Sequence, residues 1–251
     1  MHFDILTIFP EIFRSFLAES LISRAIENKL LNVNLVNFRD FTTDKHHTVD
    51  DRPYGGGPGM VLKPEPLAQA LDLLIATPPH PYVINLSPAG KLLNQSLVNL
   101  LSKRPRLILI CGRYEGIDQR INDLYVNLNL SIGDYVLNGG EVPAMVVMEA
   151  IMRKIPGFLG EVQSTEEESF SDGLLEYPQY TRPQVFKTLE VPKILLSGNH
   201  REIMHYRQKE ALARTLQDRP DLLDPDKGPD KDPDKEPDKK LKDLIESLTI
   251  K

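Results

Sequence analysis

The fold is decided by the stretch Leu107-Ile-Leu-Ile-Cys-Gly-Arg-Tyr-Glu-Gly-Ile-Asp118, in which an apolar run turns abruptly into a polar loop with two glycines. Apolar runs of this length are typical of strands that are buried on both faces of a parallel sheet. Two similar runs lie at about 82–86 and 125–132, and helical or looped segments separate the three. This alternation predicts an α/β fold with a mainly parallel sheet.

The flanking sequence extends the same pattern in both directions. Toward the N-terminus, a strand is expected at 3–9 and another at Val33–Phe38, where apolar and polar residues alternate. Between them, Pro10 suits the first turn of a helix whose apolar face runs to Ile26. The remaining predicted segments are a long loop at 39–63, a helix at about 64–76 and a helix at 142–155 that is apolar on most faces.

Composition is that of a globular protein, with 251 residues, 41% apolar and 26% charged. No apolar stretch approaches the roughly 18 residues of a membrane span, and the N-terminus lacks the pattern of a secretion signal. We therefore expect a cytoplasmic protein that does not enter a membrane. The single cysteine, Cys111, excludes an internal disulfide and a cysteine-based metal cluster, and we interpret it as a small core residue.

Changes in composition divide the chain into segments. A polar stretch from Gly160 to Gly173 is interpreted as a flexible linker, and the residues after it are interpreted as a small, basic, helical domain. Between 181 and 214, seven Lys or Arg oppose three Glu, although the whole chain carries a net charge of -6. Such a patch is suited to phosphates. The predicted segments are 1–160 (α/β domain), 161–173 (linker), 174–223 (helical domain), 224–240 (disordered Pro-Asp-Lys repeat) and 241–251 (amphipathic helix).

Three loops are candidates for a ligand site because each follows one of the apolar strands. They are Leu86–Gly90, Cys111–Asp118 and Ser131–Pro143. In open α/β sheets, ligands bind beyond the carboxyl ends of the strands. Each loop alone is an ordinary turn, but together their glycines allow close approach of backbone to a ligand.

A fourth loop, Arg52-Pro-Tyr-Gly-Gly-Gly-Pro-Gly-Met60, is rich in glycine but matches no phosphate-binding motif. It lacks the closing Gly-Lys-Ser/Thr of a Walker loop, and no strand leads into a Gly-x-Gly-x-x-Gly pattern. Two interpretations stay open, a backbone that fits around a nucleotide and a plain mobile turn.

Several of these segments closely resemble bacterial tRNA (guanine-N1)-methyltransferases, in family order and over about residues 1–223. The matching motifs are Arg52–Met60, Cys111–Asp118, Ser131-Ile-Gly-Asp-Tyr-Val-Leu137, Tyr180-Thr-Arg-Pro183 and Leu195-Leu-Ser-Gly-Asn-His200. The Pro-Asp-Lys repeat and the terminal helix fall outside the resemblance.

The resemblance implies a SPOUT-class fold, in which the sheet ends in a deep trefoil knot, and an obligate homodimer with its active site between the subunits. It also implies that the three loops bind S-adenosylmethionine (SAM) and that Mg²⁺ assists catalysis, although the sequence contains no recognisable carboxylate cage. The implied cofactor-binding residues are Leu86, Ser87, Pro88, Gly112, Tyr114, Glu115, Ile132, Gly133, Asp134, Tyr135, Val136, Leu137, Gly139, Gly140 and Pro143.

The resemblance also implies the reaction, methylation of N1 of guanine 37 in tRNA when guanine 36 precedes it. It assigns the general base to Asp172 and the cation that stabilises charge at O6 to Arg153. We hypothesise that the linker orders around Asp172 only when tRNA binds. The basic domain would bind the anticodon stem-loop, with candidate substrate-binding residues Arg182, His200, Arg201, Arg207 and Lys209.

Three alternatives remain for comparison. Another SPOUT enzyme would modify a different RNA nucleotide, and the segments around Asp172 and Arg153 argue against it. A non-catalytic RNA-binding protein with this fold would fail to bind SAM. A nucleotide-dependent oxidoreductase is disfavoured because the dinucleotide fingerprint is absent.

Overall fold

The computed structural model describes residues 1–159, 168–170 and 173–223. The chain divides into two compact units, Met1–Val162 and Gln163–Lys251. Asp172, most of the predicted linker, the Pro-Asp-Lys repeat and the predicted terminal helix lie outside the described residues. The predicted boundaries of the linker and of the small domain therefore stay predictions.

The first unit is built on a five-stranded sheet of order β2-β1-β6-β5-β7. Every strand pair in it is parallel, which confirms the predicted α/β class with a mainly parallel sheet. The strands of this sheet are β1 (His2–Thr7), β2 (Asn32–Asn37), β5 (Tyr82–Leu92), β6 (Arg106–Cys111) and β7 (Leu128–Ser131).

Helices connect these strands, as parallel pairing requires. The α-helices of the first unit are α1 (Arg14–Leu17), α2 (Ser20–Glu27), α3 (Pro64–Ile75), α4 (Gln95–Leu101), α5 (Gln119–Tyr125) and α6 (Glu141–Met152), with 3-10 turns at Pro10–Phe13 and Phe38–Phe41. Two short strands, β3 (Asp50–Asp51) and β4 (Val61–Leu62), pair antiparallel beside the sheet.

The central strand β6 shows why the core forms two layers. Leu107 and Leu109 pack into the cluster that contains α2, α4 and α6, whereas Ile108 and Ile110 pack into the cluster that contains α3 and α5. All four side chains are fully buried. Because successive residues of a strand point to opposite faces, a fully apolar strand requires helices on both sides of the sheet.

Several predicted boundaries differ from the structure. The helix expected from Pro10 to Ile26 is divided, because Glu19 has an extended backbone that ends α1 and precedes α2. The strand expected at 125–132 begins only at Leu128, because α5 continues to Tyr125. The long loop at 39–63 contains the β3–β4 pair, so it is partly regular.

The described part of the second unit consists of a short hairpin and one long helix. The hairpin pairs β8 (Val185–Phe186) with β9 (Leu189–Glu190), and α7 spans His200–Asp218 between 3-10 turns at Lys193–Leu196 and Pro220–Leu223. The expectation that the domain at 174–223 is helical is therefore wrong for the hairpin. Lys187, at the hairpin turn, has a positive φ of 58°, which is incompatible with a right-handed helix.

Candidate functional site

The three loops predicted to bind a ligand meet around one cavity of about 450 Å³ at the carboxyl ends of β5, β6 and β7. Asn85–Ala89, Gly112–Ile117 and Leu130–Gly140 supply most of its lining, apart from Asp134. All the predicted cofactor-binding residues line the cavity except Asp134, whose side chain is exposed nearby. The tertiary structure thus brings together segments that lie up to 58 positions apart in the chain.

The first loop is a bulge within β5. Leu86 and Lys91 both pair with Leu130 of β7, so that the residues between them project out of the ladder. Gly90 closes the bulge, and a Cβ atom there would lie 2.4 Å from the backbone of Asn129. Glycine is required at this position because the two strands approach more closely than a side chain permits.

The second and third loops are joined directly through their backbones. The amide of Gly140 donates to the carbonyl of Gly112 at 2.9 Å, and Arg113 forms an isolated antiparallel bridge with Gly139. A Cβ atom on Gly140 would lie 2.7 Å from Cα of Cys111. The shape of the cavity therefore depends on glycine where these loops meet.

Beneath this junction lies a buried ion pair that sequence reasoning missed. Glu141, the first residue of α6, is 1% exposed. Its Oε1 accepts a hydrogen bond from Oγ1 of Thr7 at 2.8 Å. Its Oε2 lies 2.8 Å from Nη2 of Arg113. The two groups form an ion pair, but the N–H bonds of Arg113 do not point at this oxygen as a hydrogen bond would require.

Arg113 also contacts the third loop and the end of β1. Its Nη1 donates to the carbonyl of Asn138 at 3.3 Å, and its guanidinium lies 4.6 Å from the ring centre of Phe9. Its side chain is 19% exposed. One cation therefore connects two of the three cavity loops with the core. The sequence offered only a charged residue at position 141, next to a helix that otherwise reads as apolar.

A second polar cluster lies under the first loop. Asn85, buried in β5, donates from Nδ2 to Oδ1 of Asn122 at 3.0 Å and to Oδ1 of Asn129 at 2.9 Å. Asn85 and Asn122 also line the cavity. The only signal in the sequence was one amide within an otherwise apolar strand.

The glycine-rich loop at 52–60 is attached to the second cavity loop at one end only. The amide of Glu115 donates to the carbonyl of Met60 at 3.0 Å, and a Cβ on Gly59 would overlap the Glu115 carboxylate. A Cβ on any of Gly55–Gly57, in contrast, would meet no atom within 4 Å. The loop therefore combines an anchored end beside the cavity with an open tip.

Two residues at the ends of the second cavity loop, Cys111 and Asp118, have pKa values that are shifted by their surroundings. Asp118 caps α5 by accepting a hydrogen bond from the amide of Arg120 at 2.9 Å. Hydrogen bonding from the Arg120 side chain holds the pKa of Asp118 below its usual value. Burial raises the pKa of the Cys111 thiol, so that Cys111 is a neutral core residue at the end of β6, as predicted.

The two predicted catalytic residues are not brought to the cavity by the described structure. Asp172 lies outside the described residues. Arg153 follows the last residue of α6 and is exposed. Because α6 begins at Glu141 beside the cavity and has 12 residues, Arg153 lies about 18 Å from that end of the helix.

The predicted substrate-binding residues lie in the second unit. Arg182, His200 and Arg207 line a second cavity of about 600 Å³, which is formed by residues of 177–207. Arg201 and Lys209 lie on α7 with exposed side chains, outside the lining of this cavity.

Within residues 1–159, 168–170 and 173–223, no three His, Cys, Asp or Glu side chains are grouped as a metal site would need. No helix among the described residues combines the length and the apolar character of a membrane span.

Comparison with known proteins identifies the family. The family model described as tRNA (Guanine-1)-methyltransferase TrmD matches residues 1–225. The chain is 52% identical over 225 residues to a tRNA (guanine-N(1)-)-methyltransferase of Dehalococcoides mccartyi, covering 89% of this chain and 91% of that protein. Enzymes of the same name from Carboxydothermus hydrogenoformans and Moorella thermoacetica are each 52% identical, covering 89% of this chain and 87% and 90% of theirs. The chain therefore belongs to the TrmD family of tRNA (guanine-1)-methyltransferases.

Proposed function

We propose that this enzyme transfers a methyl group from SAM to N1 of guanine 37 in tRNA, where guanine 36 precedes it. The observation that carries the proposal is the single cavity around which the three glycine-containing loops meet at the carboxyl ends of β5, β6 and β7. The family match supports the same reaction type.

The cavity suits SAM in size and chemistry. Its volume of about 450 Å³ is within the ordinary range for small-molecule sites. Tyr114 and Tyr135 offer aromatic faces, and the glycines at 112, 139 and 140 let the second and third loops pack closely around the cavity. When bound, SAM supplies an electrophilic methyl group on a positively charged sulfur. The residues of this chain would orient it and exclude water.

The target guanine requires a base, because N1 carries a proton at neutral pH and its lone pair is not free to attack. Asp172 is proposed to remove that proton. Negative charge then develops toward O6, where the guanidinium of Arg153 is proposed to stabilise it more in the transition state than in the ground state. Positioning of the two substrates would supply much of the remaining rate.

These roles fit an active site formed between two copies of the chain. Because the length of α6 separates Arg153 from the cavity of its own copy, we propose that Arg153 serves the cavity of a partner subunit. The exposed face of α6 supports a homodimer, since Val142 and Val146 are one helical turn apart and are 55% and 42% exposed. Exposed apolar stripes of this kind favour burial against another protein surface.

We also propose that the cavity loops form the trefoil knot of the SPOUT class. The close backbone approaches at Gly90 and Gly140 support tightly packed crossings of the chain. The second unit is proposed to bind the anticodon stem-loop through its cationic residues. No group of three His, Cys, Asp or Glu side chains among the described residues marks a metal site, so the assistance of catalysis by Mg²⁺ stays a prediction.

The test is methyl transfer from labelled SAM to two tRNA transcripts that differ only at position 36, guanine in one and adenine in the other. Label only in the first, at N1 of guanine 37, is expected. Label in neither transcript, with SAM still bound, would indicate a different RNA target. Failure to bind SAM would indicate a non-catalytic RNA-binding protein.

A further inference from the structure

The cavity of the second unit has walls of two chemical kinds. Tyr177 and Tyr180 contribute aromatic rings, and Val191, Leu195 and Ile203 contribute aliphatic surface. Arg182 and Arg207 contribute guanidinium groups, and His200 contributes an imidazole. No acidic residue is among the described residues that line the cavity. A ligand that suits both kinds of wall has a flat apolar part and a negative charge.

The aromatic part is held in place by packing. The guanidinium of Arg207 lies 4.7 Å from the ring centre of Tyr177, and Tyr177 packs against the small core of Leu174, Ala211 and Leu212. Tyr180, by contrast, is exposed, so its ring is available for stacking. A planar cation above one ring and a second accessible ring provide stacking surfaces for a nucleobase.

The size of the cavity favours a nucleotide over a lone phosphate. A volume of about 600 Å³ far exceeds the needs of one inorganic anion. A base in a duplex is stacked on both faces and paired along one edge, so only an unpaired base is free to enter such a cavity.

We infer that this cavity binds one unpaired nucleotide of the substrate RNA, with the base against Tyr180 and the adjoining phosphate against the cationic wall. The inference rests on the proposed function, because the RNA is taken to be the tRNA whose guanine is methylated. It assigns to the second unit the recognition of one particular base position, beyond a general attraction for phosphates.

The experiment measures binding of a fluorescent anticodon stem-loop by anisotropy. The full chain is compared with the Tyr180→Ala variant. A series of stem-loops is used, each with one loop nucleotide made abasic. We expect Tyr180→Ala to weaken binding of the intact stem-loop about tenfold, the size of one lost base–aromatic stack. For one abasic position, Tyr180→Ala should cause no further loss, because the base is already absent.

Matched variants separate this coupling from general effects. Phe186 is an exposed aromatic residue of the same unit that does not line the cavity, so Phe186→Ala should show no coupling to any abasic position. Tyr180→Phe keeps the ring and should keep the affinity. If Tyr180→Ala disturbs folding, as melting by circular dichroism would reveal, Arg182→Gln tests the cationic wall instead. Its coupling is then measured against single methylphosphonate substitutions.

The inference is overturned if Tyr180→Ala binds the intact stem-loop with normal affinity. It is also overturned if the loss of affinity caused by Tyr180→Ala adds to the loss caused by every abasic substitution. Guanosine monophosphate is the probe for a free nucleotide. Competition by it at micromolar concentration, with no coupling on the stem-loop, would assign the cavity to a free nucleotide and overturn the inference. If Tyr180→Ala shows coupling to one base, while the wild-type enzyme leaves N1 of guanine unmethylated, the result would contradict the proposed function and support the inference.

Discussion

Replacing Glu141 by glutamine should weaken SAM binding without a direct contact to the ligand. The glutamine retains one oxygen that can accept from Thr7 or face Arg113, but it removes the charge that opposes the guanidinium. Hydrogen bonds to charged groups contribute about 1.5–3 kcal/mol, and breaking a buried ion pair costs about 3–5 kcal/mol. Because Gln keeps an acceptor and Arg113 is 19% exposed, we expect a loss of about 2 kcal/mol, below the full cost of a broken pair.

That loss has two measurable consequences. For a unit of this size, about 2 kcal/mol lowers Tm by about 4–8 °C. Since Arg113 also contacts Asn138 of the third loop, its release should reduce the fraction of molecules in which the cavity loops are correctly arranged. The apparent Kd for SAM rises in inverse proportion to that fraction. Calorimetric titration with SAM should therefore give a Kd raised about tenfold, while kcat at saturating SAM changes little.

A second buried ion pair provides the control. Nε of Arg106 donates to Oδ2 of Asp4 at 2.7 Å, and both side chains are buried in the strands β6 and β1, away from the cavity. Asp4→Asn should lower Tm at least as much as Glu141→Gln and leave the Kd for SAM unchanged. If the two variants alter Kd equally, or if Glu141→Gln binds SAM normally despite its lower Tm, Glu141 contributes only to stability and the reasoning is refuted.

Three further predictions follow from the site and the proposed assembly. Val146→Glu should convert the proposed homodimer to a monomer, as measured by light scattering, and abolish methyl transfer. Leu73→Glu, at another exposed apolar position, should do neither, and a dimeric Val146→Glu variant would contradict the proposed interface. Asp118→Ala should lower stability by about 1 kcal/mol at neutral pH through loss of the helix cap. Because Arg120 lowers the folded-state pKa of Asp118, this stability is present above the ordinary carboxyl pKa and is lost as pH falls through the lowered value. The difference in unfolding free energy between variant and wild type, measured in urea, should therefore shrink below about pH 4. A difference that does not depend on pH would exclude the carboxylate as its source. Asp172→Ala should bind SAM with wild-type affinity and lose nearly all turnover, and a variant that methylates tRNA at the normal rate would remove Asp172 from the mechanism.

The positions of the strands and of the three cavity loops along the chain could be predicted because they depend on local sequence, whereas the order of the strands in the sheet came from the structure. The run Leu107–Cys111 is apolar at every position, which only burial on both faces accommodates. Parallel strands end at the same edge of a sheet, so loops that follow such strands must meet there. The predicted strand ends therefore indicated the three loops, and the family resemblance implied which of their residues bind SAM.

The secondary structure was predicted less well where a backbone conformation overrode a sequence pattern. The apolar periodicity from Pro10 to Ile26 continues across Glu19, yet its extended backbone divides the helix. The basic residues after 183 suggested helix, whereas Lys187 turns the chain into a hairpin. Periodicity describes which side chains are buried, and it does not report a single residue with unusual dihedral angles.

The sequence by itself determined the α/β class, the positions of the loops that line the first cavity, and the family, because these depend on apolar strand runs and contiguous motifs. Only the tertiary structure decided that Thr7, Arg113 and Glu141 form one buried network, since Thr7 and Glu141 are 134 positions apart in the chain. It also decided that Arg153 lies a helix length from the cavity and that the second unit contains a cavity with aromatic and cationic walls. The physical reason is that a charge pair or a cavity depends on distances in space between residues that are far apart in the chain. These distances become short only in the folded structure.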